Sequence, residues 1–492
     1  MDPERRYAAM ASRDERFDGR FFVAVTSTGI YCRPSCPVPP PKRRNVRFYA
    51  TAEAAEAGGF RACRRCRPEA SPDSPDWDVR ADLVGRALRL IAEGVVDAEG
   101  VSGLAQRLAT SQRQLHRAFV EELGIGPLAV ARSRRARLAK QLLEQTDLRG
   151  AEVAFAAGFS SIRAYNDTVR RVFRRSPGEI RARRRRADVP EGGLTLRLAY
   201  RPPFAAEPLF RFLGDRAIPG VETFDGARLR RSIRMRDGSA TLIGLTPDPE
   251  HPHVTLEVSP GEPPELAAVV QAARRLLDLD ADPVTIDDRL ARDPALRRSV
   301  REHPGLRLPG AVDGFELAVR AVLGQQVSVR GARTMAGRLV AAAGTPLQPN
   351  ERAEGITHLF PTAEQVATAS FDGIGLTGRR AATLRQLAEL VAGADLDLSG
   401  HADPEVALDK LLAIPGVGGW TASYVAMRAL RDPDAFPATD LGIRAGLEAA
   451  GLPTMPAAVE ERAERWRPWR GYAAMHLWQL AWQGHTSRAP VG

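Results

Sequence analysis

Cysteine is nearly absent: the 492-residue chain holds four, all between positions 32 and 66. Everything after Cys66 is therefore without a disulfide, a thiolate metal cluster or a cysteine nucleophile. Long apolar runs are missing too. None approaches the roughly 18 residues of a membrane span, and the first residues, with Asp2, Glu4, Arg5 and Arg6, lack the apolar stretch of a signal peptide. These absences predict a cytoplasmic protein with no membrane partner. In that reducing compartment, clustered cysteines serve as metal ligands rather than as two disulfides.

With 44% apolar residues, a chain of this length can fill several cores, and three or four domains are expected. Its net charge of +10 is uneven: residues 1–100 carry 17 Lys/Arg against 15 Asp/Glu, residues 101–186 carry 19 against 7, and the remainder 34 against 38. The middle segment thus holds an excess of +12 between +2 and −4, the footprint of phosphate binding. A solvated arginine-rich surface would look the same by charge alone.

Residues 1 to about 70 mix short strand-like runs such as Phe21–Val25 with the Pro-rich loop 37–41, and so small a unit needs a staple. The segment 71–75 reads as a linker. Helical spacing starts at Val79, and two similar helix-turn-helix pieces follow. The first is Val101–Leu108 with Gln112–Leu123, the second Gly150–Ala157 with Ile162–Phe173; Ser176-Pro177-Gly178-Glu179 has the capping-box pattern of a further helix. A charged stretch over 181–193 marks a domain boundary. Leu194, Leu196 and Leu198 alternate as a strand, 240–245 and 254–258 read similarly, and from Glu265 onward the periods are helical.

Cys32-x3-Cys36, 26 residues, then Cys63-x2-Cys66 fits a four-thiolate zinc site, and by spacing alone a buried, inert zinc knuckle is the ordinary reading. The strings Tyr31-Cys32-Arg33-Pro34-Ser35-Cys36, Asn45-Val46-Arg47-Phe48-Tyr49 and Gly59-Phe60-Arg61-Ala62-Cys63-Arg64-Arg65-Cys66 resemble the methyl-acceptor domain of Ada-type adaptive-response regulators. That resemblance implies that Cys32 removes a methyl group from a DNA methylphosphotriester, irreversibly. Zinc with four thiolates carries a formal −2, which repels DNA despite Lys42, Arg43, Arg44, Arg47, Arg64 and Arg65. Methylating one sulfur removes a unit of that repulsion, so repair would strengthen DNA binding.

The second helix of each helix-turn-helix offers groups that can reach bases or phosphates: Gln112, Arg113, His116 and Arg117 in one, Arg163, Asn166 and Arg170 in the other. Two helical hairpins that pack without DNA would show the same pattern. Ala156-Ala157-Gly158-Phe159-Ser160-Ser161, then Phe173 and Ser176–Arg181, resemble the AraC-type activator domain over roughly 80–186, which implies sequence-specific DNA binding and RNA polymerase as a partner. Ada-type proteins often continue into a methylguanine methyltransferase with a Pro-Cys-His-Arg motif; with no cysteine after Cys66, that activity is expected to be absent.

Leu411–Trp420 can form a hairpin in which Pro415, Gly416 and Gly418 let the backbone approach a phosphate. Ile414-Pro415-Gly416-Val417-Gly418-Gly419-Trp420-Thr421-Ala422, followed 18 residues later by Asp440, resembles the helix-hairpin-helix glycosylase superfamily, and more closely the AlkA-type alkyladenine glycosylases. Residues 318–326 and 466–473 support this. The resemblance implies that Asp440 stabilises an oxocarbenium-like sugar and orients water. It implies that Trp420, Tyr424, Trp478 and Phe212 hold a cationic base such as 3-methyladenine or 7-methylguanine. Carbonyls of Leu412, Ile414 and Val417 match the ligands of a bound Na+ or K+. Trp420 stands where lyase members have lysine, so no strand cleavage is expected, and there are no cysteines for an iron–sulfur cluster. Gln326 stands where a relative has an apolar wedge.

The expectation is a multidomain α+β protein: a zinc-stapled methyl-acceptor domain at 1–75, an all-α double helix-turn-helix domain at 78–187, a small antiparallel α/β subdomain at 194–264 and an all-α helix-hairpin-helix glycosylase domain at 265–492. Double-stranded DNA, alkylated and promoter, is the partner. Two alternatives stay open: a regulator whose C-terminal half only binds DNA, against which the retained Asp440 argues, and a zinc-stapled scaffold, which needs Cys32 buried.

Overall fold

The computed structural model describes residues 3–11, 21–34, 36, 38, 40–63, 68, 82–182, 194–259, 265–400 and 402–486. Cys66, Arg64, Arg65, the 71–75 linker and most of the 181–193 boundary lie outside these. Two compact units emerge, Met1–Tyr200 with Gly261–Gln271, and Arg201–Pro260 with Ala272–Gly492. No helix among the described residues is long and apolar enough to cross a membrane.

The first unit opens with α1 (Pro3–Ala11), β1 (Phe22–Val25), β2 (Ile30–Cys32), β3 (Val46–Tyr49), α2 (Ala52–Ala57) and β4 (Arg61–Ala62). The strands lie in the order β3-β1-β2-β4, with β1 antiparallel to β2 and β3, and β2 parallel to β4. Strand alternation divides the apolar side chains between two faces: Phe22, Ala24 and Tyr31 join Ala52 and Ala55 on one, while Phe21, Val23 and Val46 join Met10 on the other. The helices α3 (Asp82–Ala92), α4 (Val95–Arg107), α5 (Gln112–Leu123), α6 (Pro127–Gln145), α7 (Gly150–Ala156), α8 (Ile162–Phe173) and α9 (Pro177–Arg181) follow, then β5 (Leu194–Ala199). Ser111, Ser161 and Ser176 cap α5, α8 and α9, as their positions before polar-apolar periodic runs predict. The sequence reading did not single out α2 or the 19-residue α6. Four of the residues in α6 are arginine, and its buried stripe includes three alanines and a serine, so the stripe is weak by hydrophobicity.

The second unit contains α10 (Ala206–Asp215), an antiparallel run of β6 (Glu222–Phe224), β7 (Leu229–Arg234), β8 (Ala240–Pro247) and β9 (His253–Ser259), and then helices. These are α11 (Leu266–Leu276), which begins within the first unit, α12 (Pro283–Leu290), α13 (Pro294–Glu302), α14 (Gly314–Leu323) and α15 (Val329–Ala343). After β10 (Thr345–Pro346) and β11 (His358–Leu359) come α16 (Ala363–Thr368), α17 (Gly378–Ala392), α18 (Pro404–Leu412), α19 (Gly419–Arg428), α20 (Leu441–Ala449), α21 (Pro456–Ala463) and α22 (Arg470–Thr486). The expectation of helices alone after Glu265 is thus corrected. β10 and β11 pair through Thr345↔Leu359, and two residues are too few to show strand alternation; Leu347, Ile356 and Leu359 pack together beside them.

α14 buries Phe315 through Val319 and Ala321 through Leu323, as a helix with apolar residues on most of its circumference must. Its two charged residues, Glu316 and Arg320, meet Arg231 of β7 and Glu222 of β6. Arg231 donates to Glu222 at 2.8 Å and Glu316 at 2.7 Å, and Arg320 to Glu222 at 2.5 Å and Glu316 at 2.6 Å. Burial works to raise the Glu316 pKa, but Arg231 and then Arg320 outweigh it and bring it to about 2. A carboxyl depressed in the folded state stabilises fully above its unfolded value of 4.5 and loses that contribution as pH falls toward about 2. Glu316→Gln leaves buried arginines short of a partner and is expected to cost about 3–5 kcal/mol at pH 7. Urea denaturation should show the gap to wild type narrowing as the pH is lowered through that window; a pH-independent gap contradicts the assignment.

Candidate functional site

Strand pairing builds the thiolate cluster. Parallel β2 and β4 set Tyr31 opposite Ala62, so Cys32 and Cys63 leave the sheet side by side, and the Cys63 amide donates to the Tyr31 carbonyl at 2.9 Å. The sulfurs of Cys32, Cys36 and Cys63 lie within 4.8 Å of one another, with Cys36 and Cys63 at 4.0 Å. Thiolates around a tetrahedral zinc with ~2.3 Å bonds stand about 3.8 Å apart, so the cluster suits that ion. Among the described residues Cys36 and Cys63 are buried whereas Cys32 is half-buried. Of the nearby cations, Lys42, Arg44 and Arg47 are exposed, while Arg43 is held by Glu4 at 3.0 Å and lies over the Tyr7 and Phe48 rings.

In the helix-turn-helix pieces, α5 buries Leu115, Phe119 and Leu123, and α8 buries Tyr165 and Val169. The opposite faces leave Gln112, Arg113, His116, Arg117, Arg163 and Arg170 exposed, with Asn166 half-buried. Arg117 and Arg163 have only long contacts to Glu121, at 3.7 Å, and Asp167, at 4.0 Å, which exposed side chains give up at little cost.

The hairpin joins α18 to α19. Gly416 has φ +94°, and a Cβ there would stand 2.3 Å from Thr383 Oγ1. That hydroxyl donates to the Pro415 carbonyl at 2.7 Å, while Gln325 Nε2 donates to the Gly416 carbonyl at 2.9 Å and Arg380 to the Gln325 carbonyl at 2.7 Å. Gly418 and Gly419 face open space at the start of α19. Gly416→Ala is expected to lower stability by about 1–3 kcal/mol, from a strained backbone and a clash. Gly418→Ala meets nothing and should leave stability unchanged while weakening duplex binding; thermal melts and gel shifts on the two variants separate these effects. Among the carbonyls matched to a cation, that of Ile414 accepts from the Val417 amide at 3.0 Å.

Asp440 is both a helix cap and a wall of the cavity. Its Oδ1 accepts from the Ile443 amide at 2.9 Å and Trp478 Nε1 at 2.8 Å, and its Oδ2 accepts from Trp420 Nε1 at 2.7 Å. A carboxylate has about four lone-pair sites, so three bonds leave Oδ2 one to turn toward the cavity. Trp420, Tyr424 and Trp478 line that cavity with Asp440 and Gln326; its volume, about 1520 Å³, exceeds the several hundred Å³ of an ordinary small-molecule pocket and suits a base together with the strand that carries it. Phe212 is stacked on Trp478 at 5.7 Å and lies under the Arg216 guanidinium at 3.7 Å. Trp420 stacks on Tyr424 at 5.5 Å. Gln326 holds φ +54°, a conformation unusual outside glycine, which presents its exposed side chain at the cavity.

Arg216, Arg428 and Gln325 escaped the sequence reading. Arg428 follows Trp420 and Tyr424 at four-residue spacing on α19, a helical stripe that could have been noticed; no spacing links Arg216 to it. Arg428 donates to Tyr424 Oη at 2.6 Å and to the carbonyls of Pro309 and Gly310. Burial works to raise the Tyr424 pKa, but Arg428 and then Arg216 outweigh it and hold the phenol below its usual value. Arg216 is itself lowered by burial.

Paired helix-turn-helix units and a glycine hairpin are both devices for gripping duplex DNA, and the hairpin adjoins a cavity with room for a base. The class so defined is a DNA-binding repair protein. Residues 5–69 match the metal binding domain of Ada, 104–183 a helix-turn-helix domain, 195–313 the AlkA N-terminal domain, and 319–470 the HhH-GPD superfamily of base excision DNA repair proteins. A Mycobacterium tuberculosis protein described as a probable bifunctional transcriptional activator/DNA repair enzyme AlkA is 49% identical over 97% of this chain and 96% of its own. Escherichia coli DNA-3-methyladenine glycosylase 2 is 34% identical over 58% of this chain and 98% of its own. The structure of a 3-methyladenine DNA glycosylase from Archaeoglobus fulgidus superposes with TM-score 0.50 at 25% identity, covering 58% of this chain and 97% of that one. The chain belongs to the AlkA family of bifunctional transcriptional activator/DNA repair enzymes. Its N-terminal cysteines form the zinc-binding site of an Ada-type domain, and its partner is double-stranded DNA.

Proposed function

We propose that this protein hydrolyses the glycosidic bond of alkylated purines of the 3-methyladenine and 7-methylguanine type without cutting the strand, and that methyl transfer from a DNA methylphosphotriester to Cys32 turns it into a promoter-bound activator with RNA polymerase as partner. The observation that carries the first part is the Asp440 carboxylate suspended between the indoles of Trp420 and Trp478. A flipped alkylpurine enters the cavity against the remaining faces of Trp420 and Trp478, with Tyr424 beside them. Its positive charge makes it a good leaving group, so no strong general acid is needed. Oδ2 of Asp440 faces the sugar as positive charge develops and orients water for attack. Trp420 offers no amine to form an adduct with the sugar. Gln326 fills the stack, Gly416 and Gly418 admit the phosphate, and the carbonyls of Leu412, Ile414 and Val417 hold a Na+ or K+ ion there.

Cys32, Cys36 and Cys63, with Cys66 as the fourth ligand that the spacing implies, would hold a zinc ion, which would keep the sulfurs deprotonated at neutral pH. The half-exposed Cys32 thiolate attacks the methyl carbon; an S–C bond forms, the O–C bond breaks, and the phosphate leaves as a diester. Gln112, Arg113, His116, Arg117, Arg163, Asn166 and Arg170 then face the promoter. The corresponding divisions are residues 1–75, 78–187, 194–264 and 265–492. The test is incubation of the intact chain with methylated duplex, following free base and strand scission separately. Methylpurine without scission supports the reading. Scission in step with release overturns the Trp420 argument, and no release from a folded, DNA-binding chain leaves a methylation-triggered regulator.

A further inference from the structure

The short helix α2 belongs to two cores at once. Ala52 and Ala55 pack with Phe22, Tyr31 and Phe60 around the thiolate-bearing sheet, whereas Ala54 packs with Leu104, Leu115, Phe119 and Val130 of the helix-turn-helix core. Its two glutamates are half-buried and bonded to side chains rather than left to solvent. Glu53 accepts from Arg137 of α6 at 2.5 Å, with side-chain exposures of 13% and 14%. Glu56 lies between two hydroxyls: Tyr31 donates to its Oε1 at 2.8 Å, and Ser133 of α6 donates to its Oε2.

Tyr31 is fully buried and touches both arms of the cysteine cluster, being peptide-bonded to Cys32 and accepting the Cys63 amide on its carbonyl. Ser133 stands on the helix that packs against α4 and α5 of the first helix-turn-helix and α7 and α8 of the second. An unbroken chain of bonded groups thus runs from the cysteine ligands to the one helix shared by both DNA-reading pieces. Apolar side chains would hold α2 against α6 at least as well, because buried charged groups are costly to desolvate. A fully bonded polar network adds a defined geometry that apolar packing lacks.

We propose that Tyr31, Glu56 and Ser133 form a relay by which methylation of Cys32 shifts α6 and, with it, both helix-turn-helix pieces, so that the repair signal reaches the DNA-binding helices by contact as well as through the cluster's charge. The relay rests on the assignment of Cys32 as methyl acceptor. Methylation lengthens the Cys32 side chain and weakens its hold as a ligand, which displaces the end of β2; the Tyr31 ring moves with that strand, and Glu56 and Ser133 follow to keep their bonds.

The test uses the full zinc-loaded chain and two variants that each remove one hydroxyl on opposite sides of Glu56, Tyr31→Phe and Ser133→Ala. Each is treated with duplex bearing a methylphosphotriester, and uptake of one methyl is verified by mass. Affinity is then measured, before and after methylation, for a duplex that the methylated wild-type chain selects from random sequence. Hydrogen exchange across residues 127–145 is followed alongside.

Both variants should accept the methyl group and bind unmethylated as wild type does, yet their gain in affinity on methylation should be smaller by about fivefold or more, the scale of a coupling between sites. Their α6 amides should fail to show the exchange change that methylation produces in wild type. Full gain in both variants would mean that the charge acts alone and would overturn the relay. So would a loss confined to Tyr31→Phe, since a relay must cross Ser133 as well. A wild-type chain that takes up no methyl would overturn the acceptor assignment itself, and the relay with it.

Discussion

Asp440→Asn is expected to lower base release from methylated duplex by about 10²–10³-fold or more while leaving the protein folded, the scale seen when one preorganised electrostatic contact to a developing charge is lost. Asparagine caps helices nearly as well as aspartate, so α20 should keep its start. Its amide oxygen can take the place of Oδ1 toward the Ile443 amide and Trp478 Nε1, but its NH2 then meets the Trp420 Nε1–H, donor against donor. The substitution therefore removes the charge and releases one indole together. Trp420→Phe separates the two effects, for it keeps a ring and the carboxylate while deleting that hydrogen bond. Single-turnover release with all three proteins, together with their affinity for duplex containing an abasic site, decides the matter. If Asp440→Asn retains more than a tenth of the rate, the carboxylate is a helix cap only.

Cys32→Ser is expected to abolish methyl uptake and with it the methylation-dependent gain in DNA affinity, while base release stays at the wild-type rate. Serine offers no thiolate at neutral pH and is a poor partner for zinc, so metal affinity should fall too. Mass spectrometry after incubation with methylphosphotriester duplex checks the first point. Salt titration checks the second: methylated wild type should show a log-log binding slope steeper by about one unit than unmethylated, in keeping with one fewer repulsive charge near the phosphates, and the variant no change. Base release that fell with the cysteine would show that the two activities are not separable. Cys32 is the one described ligand that is not buried, and an inert structural knuckle has no reason to leave it so.

Much of the site could be read from residue order. Capping serines announced α5, α8 and α9, and the spacing of four cysteines announced a metal centre. The glycines at 416 and 418 announced a turn that a phosphate could approach, although only the structure separates their roles, one avoiding Thr383 and the other facing open space. The partners of Asp440 were less legible. Trp420 and Trp478 could be proposed as ring surfaces, yet their indole nitrogens as donors to Asp440 depend on the meeting of α19, α20 and α22, the two rings standing 20 and 38 positions from Asp440 in the chain. Phe212 is matched to the pocket by likeness, and its contacts with Trp478 and Arg216 come from elements that no sequence spacing links.

The sequence by itself determined the chemistry available: four thiols in one short window, an arginine-rich middle segment, one carboxylate at a fixed distance after a glycine hairpin, and no later cysteine. These are local facts, set by composition, spacing and backbone freedom. Tertiary structure alone decided which of the described cysteines is left half-buried, which arginines face Tyr424, and that Glu53 and Glu56, in a helix otherwise made of alanine, are bonded to α6. The reason is physical: burial and hydrogen-bond partnership are properties of surfaces brought together from distant parts of the chain, and no periodicity within a six-residue helix records what will cover it.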